Sequence, residues 1–344
     1  MGPEAVALDD PAAADPSASD AAIDIRGVTK RFRTKLAVDR LDLVVPTGSL
    51  CGFLGPNGAG KTTTIRMIMS ILFPDEGRIG VLGRKSAVES KDRIGYLPEE
   101  RGVYRKMKVG EFLMFLGRLK GLDPGPLRRK IDEQLERVGL PDVRKKRCEE
   151  LSKGMQQKVQ FLGTVIHDPE LVILDEPFSG LDPVNSRLLN TLIREMHDEG
   201  RTIIFSTHVL VQAEQLCDRI FMINKGRKIL DGPTDAVREE FDPKTVVVEP
   251  APGGGVSADA VGSLPGVRSV SAGRGGVLEA HLDDGAEPQS VMGAALGLGA
   301  VRRVEARRAS LEDIFVSLVD PGDSEDTLRA ELADNPASAG AEEA

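Results

Sequence analysis

Apolar and polar positions along this chain change rhythm several times, and each change marks an element. From Ile23 the apolar residues come in short runs cut by turn formers, IDIRGV, LDLVVPTG and SLCGFLG, which read as strands. A helix is expected from Lys61 to about Leu72, stopped by Pro74. Two more strands follow, GRIGVLG and RIGYLP, the second closing at Pro98. Between 109 and 138 the spacing turns helical (Phe112, Phe115, Leu116, Leu119; then Ile131, Leu135, Val138), with a break at Gly121, Pro124 and Gly125. Helix 153–166, strand LVILDE, helix 184–199, strand RTIIFST, helix 209–218 and strand RIFMI then alternate. That alternation predicts an α/β fold, a largely parallel sheet with helices on both faces. Asn224, Lys225 and Gly226 turn the chain into KILDGP.

Around 241 the texture changes. KTVVVE, an Ala/Val segment near 258–264, VRSVSA, VLEAHL, a segment near 287–298 and VRRVEAR read as βαββαβ, the order of a small ferredoxin-like α+β domain. The helix SLEDIFVSLV closes it, with Ser310 as N-cap. Residues 1–20 and 320–344 are rich in Ala, Pro and acids and are expected to be a disordered leader and tail. The expected organisation is therefore 1–20 leader, 21–240 main domain with a helical subdomain at about 100–165, 241–319 accessory domain, and 320–344 tail. No internal repeat is evident.

A length of 344 residues suits two or three domains. The net charge of −9 is misleading until divided: the leader and the tail carry −5 and −7, which leaves 21–319 at +3. Acidity is thus a property of the ends and says little about partners. No run approaches the ~18 apolar residues of a membrane span. The first residues also lack the basic region of a signal peptide. A soluble cytoplasmic chain is expected, with any membrane role mediated by a partner. Cys51, Cys148 and Cys217 are scattered and odd in number, which suits a reducing compartment and a role as small buried hydrophobes.

The chemistry starts at Gly55-Pro56-Asn57-Gly58-Ala59-Gly60-Lys61-Thr62, a GxxxxGK[ST] loop between a strand and a helix that opens with Lys61, Thr62 and Thr63. Its glycines let backbone N–H groups turn around a phosphate chain, and the new helix adds its positive end. Lys61 is expected on the β/γ-phosphates of ATP, with the Thr62 hydroxyl on Mg²⁺. The strand LVIL then delivers Asp175 and Glu176 to its C-terminal end, where open α/β sheets bind ligands. Asp175 is expected to hold Mg²⁺, and Glu176 to act as general base on the attacking water. Phe32, an aromatic among Lys30, Arg31, Arg33 and Lys35 ahead of this site, is expected to stack on adenine.

The segment Leu151-Ser152-Lys153-Gly154-Met155-Gln156-Gln157, at the start of a helix before the Asp175 strand, resembles the signature motif of ABC-transporter ATPases. The rest of that family's set falls in order around it: Phe32 at the adenine position, Glu99 at the Q-loop, Ser179 to Pro183 as the D-loop with Asp182, and His208 as the switch histidine. The resemblance covers about residues 23–240. It implies a P-loop NTPase fold and a homodimer that sandwiches two ATP molecules, the P-loop of one copy facing Ser152, Lys153 and Gly154 of the other. It implies that Asp182 and Glu99 also line the nucleotide site, and that His208 senses the γ-phosphate and orients Glu176. The partner it implies is a separately encoded integral-membrane permease, which would hold the chain at the inner face of the cell membrane. Nucleic acid is not expected as a partner. His167, His197 and His281 have no such context and read as structural.

Two positions depart from the family pattern. Glu99 stands where the Q-loop carries glutamine; a carboxylate there either binds the metal more strongly than an amide or repels the γ-phosphate. The signature reads LSKGM where the usual form is LSGGQ, keeping Ser152 and Gly154. Both departures, and the ending SLEDIFVSLV, resemble a subgroup of bacterial exporter ATPases of the sodium and antibiotic extrusion type. Residues 101–150 carry fourteen Lys/Arg against eight Asp/Glu, either a solvated helical face or a surface for a partner near the anionic leaflet. The reading is therefore the ATP-hydrolysing subunit of an exporter. The alternative is a soluble ABC ATPase acting on ribosome or nucleic acid. Such proteins usually carry two cassettes or a long coiled-coil or zinc insertion, and this chain has one P-loop, one signature and no heptad run.

Overall fold

The computed structural model describes residues 6–7, 21–100 and 102–319. The tail and, apart from Val6–Ala7, the leader lie outside the described residues. By internal contacts the chain forms a first unit up to Thr234 and a second from Asp235 to Ser317.

The first unit takes its strands in two sheets. β1 (Val6–Ala7) is a two-residue strand; β2 (Ala21–Phe32) and β3 (Lys35–Pro46) are joined by only two residues, which permits nothing but a hairpin. With β5 (Glu76–Val81) they form an antiparallel sheet of order β3-β2-β5. The runs IDIRGV, LDLVVP and GRIGVLG thus build a layer of their own, and the parallel sheet starts only at β4 (Leu50–Leu54). After α1 (Lys61–Ile68) come β6 (Ile94–Leu97), α2 (Val109–Leu119), α3 (Pro124–Arg137) and α4 (Lys153–Val165). Then follow β7 (Leu171–Asp175), α5 (Pro183–Asp198), β8 (Thr202–Thr207), α6 (Leu210–Leu216), β9 (Arg219–Asn224) and β10 (Arg227–Pro233). The main sheet has the order β1-β10-β9-β4-β8-β7-β6 and is parallel except where the Lys225–Gly226 turn sends β10 back along β9. β4, β7 and β8 are buried at every residue, which is why their apolar residues come as consecutive runs (172–174 and 203–205) rather than alternating.

The two sheets share one core. Ile25, Val28, Leu41 and Val45 from the antiparallel layer meet Ile65 and Ile68 of α1 and Phe53 of β4. Each such buried side chain contributes about 1.5–3 kcal/mol relative to exposure. α1 is shorter than the expected 61–72. Ser70 takes a left-handed backbone (φ 57°), and the Ile71 and Leu72 N–H groups fold back onto the Arg66 carbonyl at 2.9 and 3.0 Å. Asp123 caps α3, its Oδ1 accepting from Gly125 N at 2.7 Å with Pro124 in the first turn, and this explains the break between α2 and α3. In the basic segment of this region Arg144 is committed to Asp132 and Arg147 to Glu149, while Lys145 and Lys146 are exposed. All three cysteines are free and buried, as their spacing suggested.

The second unit follows α7 (Thr234–Glu240) as β11 (Thr245–Pro250), α8 (Ala258–Gly262), β12 (Val267–Ala272), β13 (Leu278–Leu282), α9 (Pro288–Leu296) and β14 (Val301–Arg307). All its pairings are antiparallel, in the order β12-β13-β11-β14, the ferredoxin-like arrangement expected from βαββαβ. Val246, Val248, Ala280 and Leu282 on one sheet face pack with Val261 of α8 and Val291 of α9. α10 (Leu311–Val319) starts with a reciprocal cap: Ser310 Oγ accepts from Asp313 N at 3.1 Å, and Asp313 Oδ2 accepts from Ser310 N at 3.3 Å.

Candidate active site

β4 runs straight into the glycine-rich loop, and the loop's shape is imposed from outside it. A side chain on Gly55 (φ 151°) would put Cβ 2.2 Å from the Ile223 carbonyl of β9, and one on Gly60 (φ 114°) would meet the Ala37 carbonyl at 2.7 Å. The Gly226 N–H donates to the Ala59 carbonyl (2.8 Å), and the Gly226 carbonyl accepts from Asp39 N (2.9 Å). The loop is thus clamped between β3 and the β9–β10 turn, with α1 starting at Lys61. Lys61 is buried, its Nζ donating to the Gly55 and Pro56 carbonyls at 2.7 and 3.2 Å. Burial pushes its pKa down, opposed by Glu176, Asp175 and Glu99.

An open cleft lies over this loop, lined by Asn57, Gly58, Gly60, Lys61, Thr62 and Thr63 and flanked by Phe32, Lys35 and Ala37 on one side and Glu99 and Glu176 on the other. Phe32 is 45% exposed, with the Lys30 ammonium 5.7 Å from its ring centroid. Of the residues expected at the nucleotide, Gly55, Pro56, Ala59 and Asp175 do not line this cleft, while Lys35 and Ala37 line it and were not among those expected. Lys35 had a signal in the basic run around Phe32; Ala37 had none.

At the C-terminal end of β7 the two carboxylates have different surroundings. Asp175 is 1% exposed; Oδ1 accepts from the Ser206 hydroxyl, while Oδ2 is buried and has no hydrogen-bond partner. Burial raises its pKa, and Glu176 adds to this; the Ser206 and Thr62 hydroxyls and Lys61 pull it back. Glu176 has a left-handed backbone (φ 48°), a conformation that costs a non-glycine residue about 1–3 kcal/mol. Its N–H donates to the Ser206 carbonyl (3.1 Å). Its Oε1 accepts from both the backbone N (3.1 Å) and Nδ1 (2.8 Å) of His208 and stands 4.0 Å from Lys61 Nζ. The bond to Glu176 raises the His208 pKa. Glu99 sits at the cleft edge, its pKa raised by burial and by Asp175 and Glu176.

These residues suit a divalent cation. An orphaned buried carboxylate oxygen is a position that a positive charge would satisfy. Among the described residues no cluster of three or more His, Cys, Asp or Glu forms a protein-only metal cage. Mg²⁺ needs none, because it is held by one or two carboxylates together with substrate phosphates.

The signature residues lie elsewhere. Ser152 caps α4, its Oγ accepting from Met155 N at 3.4 Å; Ser152 and Lys153 are exposed, and neither they, Gly154, His208 nor Asp182 lines the cleft. Asp182 instead caps α5, accepting from Asn185 N at 2.9 Å, a bond that holds its carboxyl below the usual range. Two amides of α4, to which the sequence reading gave no role, reach the cleft's loops: Gln157 Nε2 donates to the Pro177 carbonyl (3.1 Å) and Gln160 Nε2 to the Glu100 carbonyl (3.2 Å). The remaining histidines are structural as read. His167 and His197 bond the Ile94 and Gly48 carbonyls, and His281 bonds Thr245 and Ser271. Burial pushes His167 down to about 4.

A parallel sheet with a phosphate loop after one strand, an Asp-Glu pair at the end of another and a histidine after a third defines a P-loop nucleoside-triphosphate hydrolase. Residues 38–179 match the family described as ABC transporter, and residues 232–319 match "ATP-binding protein DrrA1-3-like, C-terminal domain". The chain is 39% identical over 305 residues to the "uncharacterized ABC transporter ATP-binding protein YhaQ" of Bacillus subtilis (strain 168), covering 86% of this chain and 98% of that one. It is 35% identical over 304 residues to the "Nod factor export ATP-binding protein I" of Rhizobium sp. (strain N33), covering 87% and 97%. Among solved structures, an ATP-binding subunit of an ABC transporter superposes with a TM-score of 0.59 at 29% identity, over 64% of this chain and 92% of that one. The chain belongs to the ABC transporter ATP-binding proteins, as the ATP-hydrolysing subunit of a transporter.

Proposed function

We propose that two copies of this chain close around two ATP molecules, each P-loop facing Ser152, Lys153 and Gly154 of the other copy. The dimer would sit on a separately encoded integral-membrane permease at the cytoplasmic face and drive export. Export is supported by the relative whose name states it. Among the described residues no helix is long and apolar enough to cross a membrane. The two-copy arrangement is supported by the exposure of the α4 start and its absence from the cleft. The first-turn N–H groups of such a helix, and its positive end, suit a γ-phosphate.

The observation that carries the reaction is the position of Glu176, held by His208 and 4.0 Å from the lysine of the phosphate loop. Loop N–H groups and Lys61 bind the phosphate chain, and Phe32 stacks on the base. Glu176 takes the proton of the attacking water, and His208 keeps its carboxylate aimed. Thr62, Asp175 and Glu99 would hold Mg²⁺, which neutralises phosphate charge. Water adds to the γ-phosphorus as the bond to the β-phosphate oxygen breaks, giving ADP and phosphate with no covalent intermediate on the protein.

The test is Glu176→Gln. With ATP and Mg²⁺ the variant should elute as a dimer in gel filtration and turn over at most about a hundredth as fast as the wild type. Unimpaired turnover would remove Glu176 from its role, and a monomer throughout would remove the two-copy arrangement.

A further inference from the structure

Ser206 belongs to none of the motifs read from the sequence, yet it holds a buried carboxylate at the centre of the site. It is fully buried near the end of β8, in register with Asp175 on the neighbouring parallel strand. Its hydroxyl donates to Asp175 Oδ1. Asp175 Oδ2 is also buried and makes no hydrogen bond, although the Thr62 hydroxyl lies near enough to the carboxyl to lower its pKa. A carboxylate with one oxygen tied and the other unsatisfied is poised for a positive charge on the free side.

We propose that Ser206 is a positioning residue for the cation: by occupying Oδ1 it fixes the Asp175 side chain and leaves Oδ2 as the oxygen offered to Mg²⁺. This rests on the reading of Asp175 as a Mg²⁺ holder. The arrangement also bears on selectivity. Mg²⁺ keeps a tight octahedral shell and takes few carboxylate oxygens, whereas Ca²⁺ readily takes both oxygens of one carboxylate. A carboxylate with Oδ1 engaged by a hydroxyl is a poorer bidentate ligand, so Ser206 tilts the site toward the smaller ion. The competing account is that the hydroxyl only satisfies a buried acceptor. In that case its loss lowers stability and leaves metal dependence unchanged.

Binding of a fluorescent ATP analogue to the full chain, titrated with MgCl₂ or CaCl₂, separates the two. Ser206→Ala should raise the half-saturating Mg²⁺ concentration about tenfold, the size expected for losing one hydrogen bond to a charged group. It should leave the Ca²⁺ midpoint unchanged or lower, and leave metal-free analogue affinity as in wild type. Ser206→Thr, which keeps the hydroxyl, should restore the wild-type Mg²⁺ midpoint. Equal Mg²⁺ midpoints for wild type and Ser206→Ala overturn the proposal. If the alanine variant does not fold, Ser206→Cys, near-isosteric with a weaker donor, takes its place under the same criterion. A wild-type protein indifferent to Mg²⁺ overturns the reading of Asp175 itself, and this proposal with it.

Discussion

The end of the main sheet and the start of α4, the two places proposed to meet the nucleotide, are finished to different degrees. At the sheet end the polar groups already have partners within the chain: Lys61 on two carbonyls, Glu176 on His208, Asp175 on Ser206. At the start of α4, Ser152 makes a long capping bond and Lys153 faces solvent. A site whose parts are held before substrate arrives loses little freedom when it binds. An exposed helix end leaves the first-turn donors that its cap does not take open to another molecule. The contrast is between groups already held within one chain and a helix start that this chain leaves exposed, which is what the proposed two-copy arrangement requires.

The hardest blow to the sheet end is Glu176→Gln, a loss of roughly 10²–10⁴ in turnover with ATP binding retained. Next comes Gly60→Ala. With the backbone at φ 114° and the Ala37 carbonyl 2.7 Å from where the added methyl would stand, the loop has to shift, and ATP affinity should fall at least about tenfold in a filter-binding assay. Phe32→Ala acts at the cleft rim. Stacking on a base is worth about 1–3 kcal/mol, so nucleotide affinity should drop by that amount while the melting temperature, for a side chain 45% exposed, stays put.

The smallest effect sharpens the comparison through pH. The bond to Glu176 raises the His208 pKa in the folded chain. Protonation therefore favours the fold: the contribution is complete below the unfolded value of about 6.5 and is lost as pH rises through the higher folded value. Melting curves of wild type and His208→Ala should differ most on the acid side and converge on the alkaline side. A gap that widened with pH would contradict the pairing.

What was legible in the sequence was whatever is written in neighbouring residues. The loop Gly55–Thr62, the Asp175-Glu176 pair after four apolar residues and the βαββαβ order of the second unit are local patterns, and each stands where it was expected. The layer formed by β2, β3 and β5 was legible as strands but not as a separate sheet, because sheet membership is decided by pairing and not by rhythm. The end of α1 was missed for a related reason, since Ser70 carries no glycine or proline flag yet turns left-handed. Ser206, Gln157 and Gln160 act across the fold, on Asp175, Pro177 and Glu100. A serine in an apolar strand and two glutamines in a helix have no spacing that announces such partners.

The clamp behind the phosphate loop has a bearing on how this chain comes to life. Gly60 is wedged under Ala37, but Gly55 is wedged under Ile223, and Ala59 is tethered by Gly226. The motif is synthesised early, its mould late. A nascent chain that has emerged only as far as α6 carries every letter of GPNGAGKT and none of the β9 backbone that gives the loop its curve. Closing that long loop is a slow, non-local step of folding. Competence to hold ATP is therefore acquired near the end of the domain's synthesis, and the nucleotide finds a cradle only once the strand that backs it has joined the sheet.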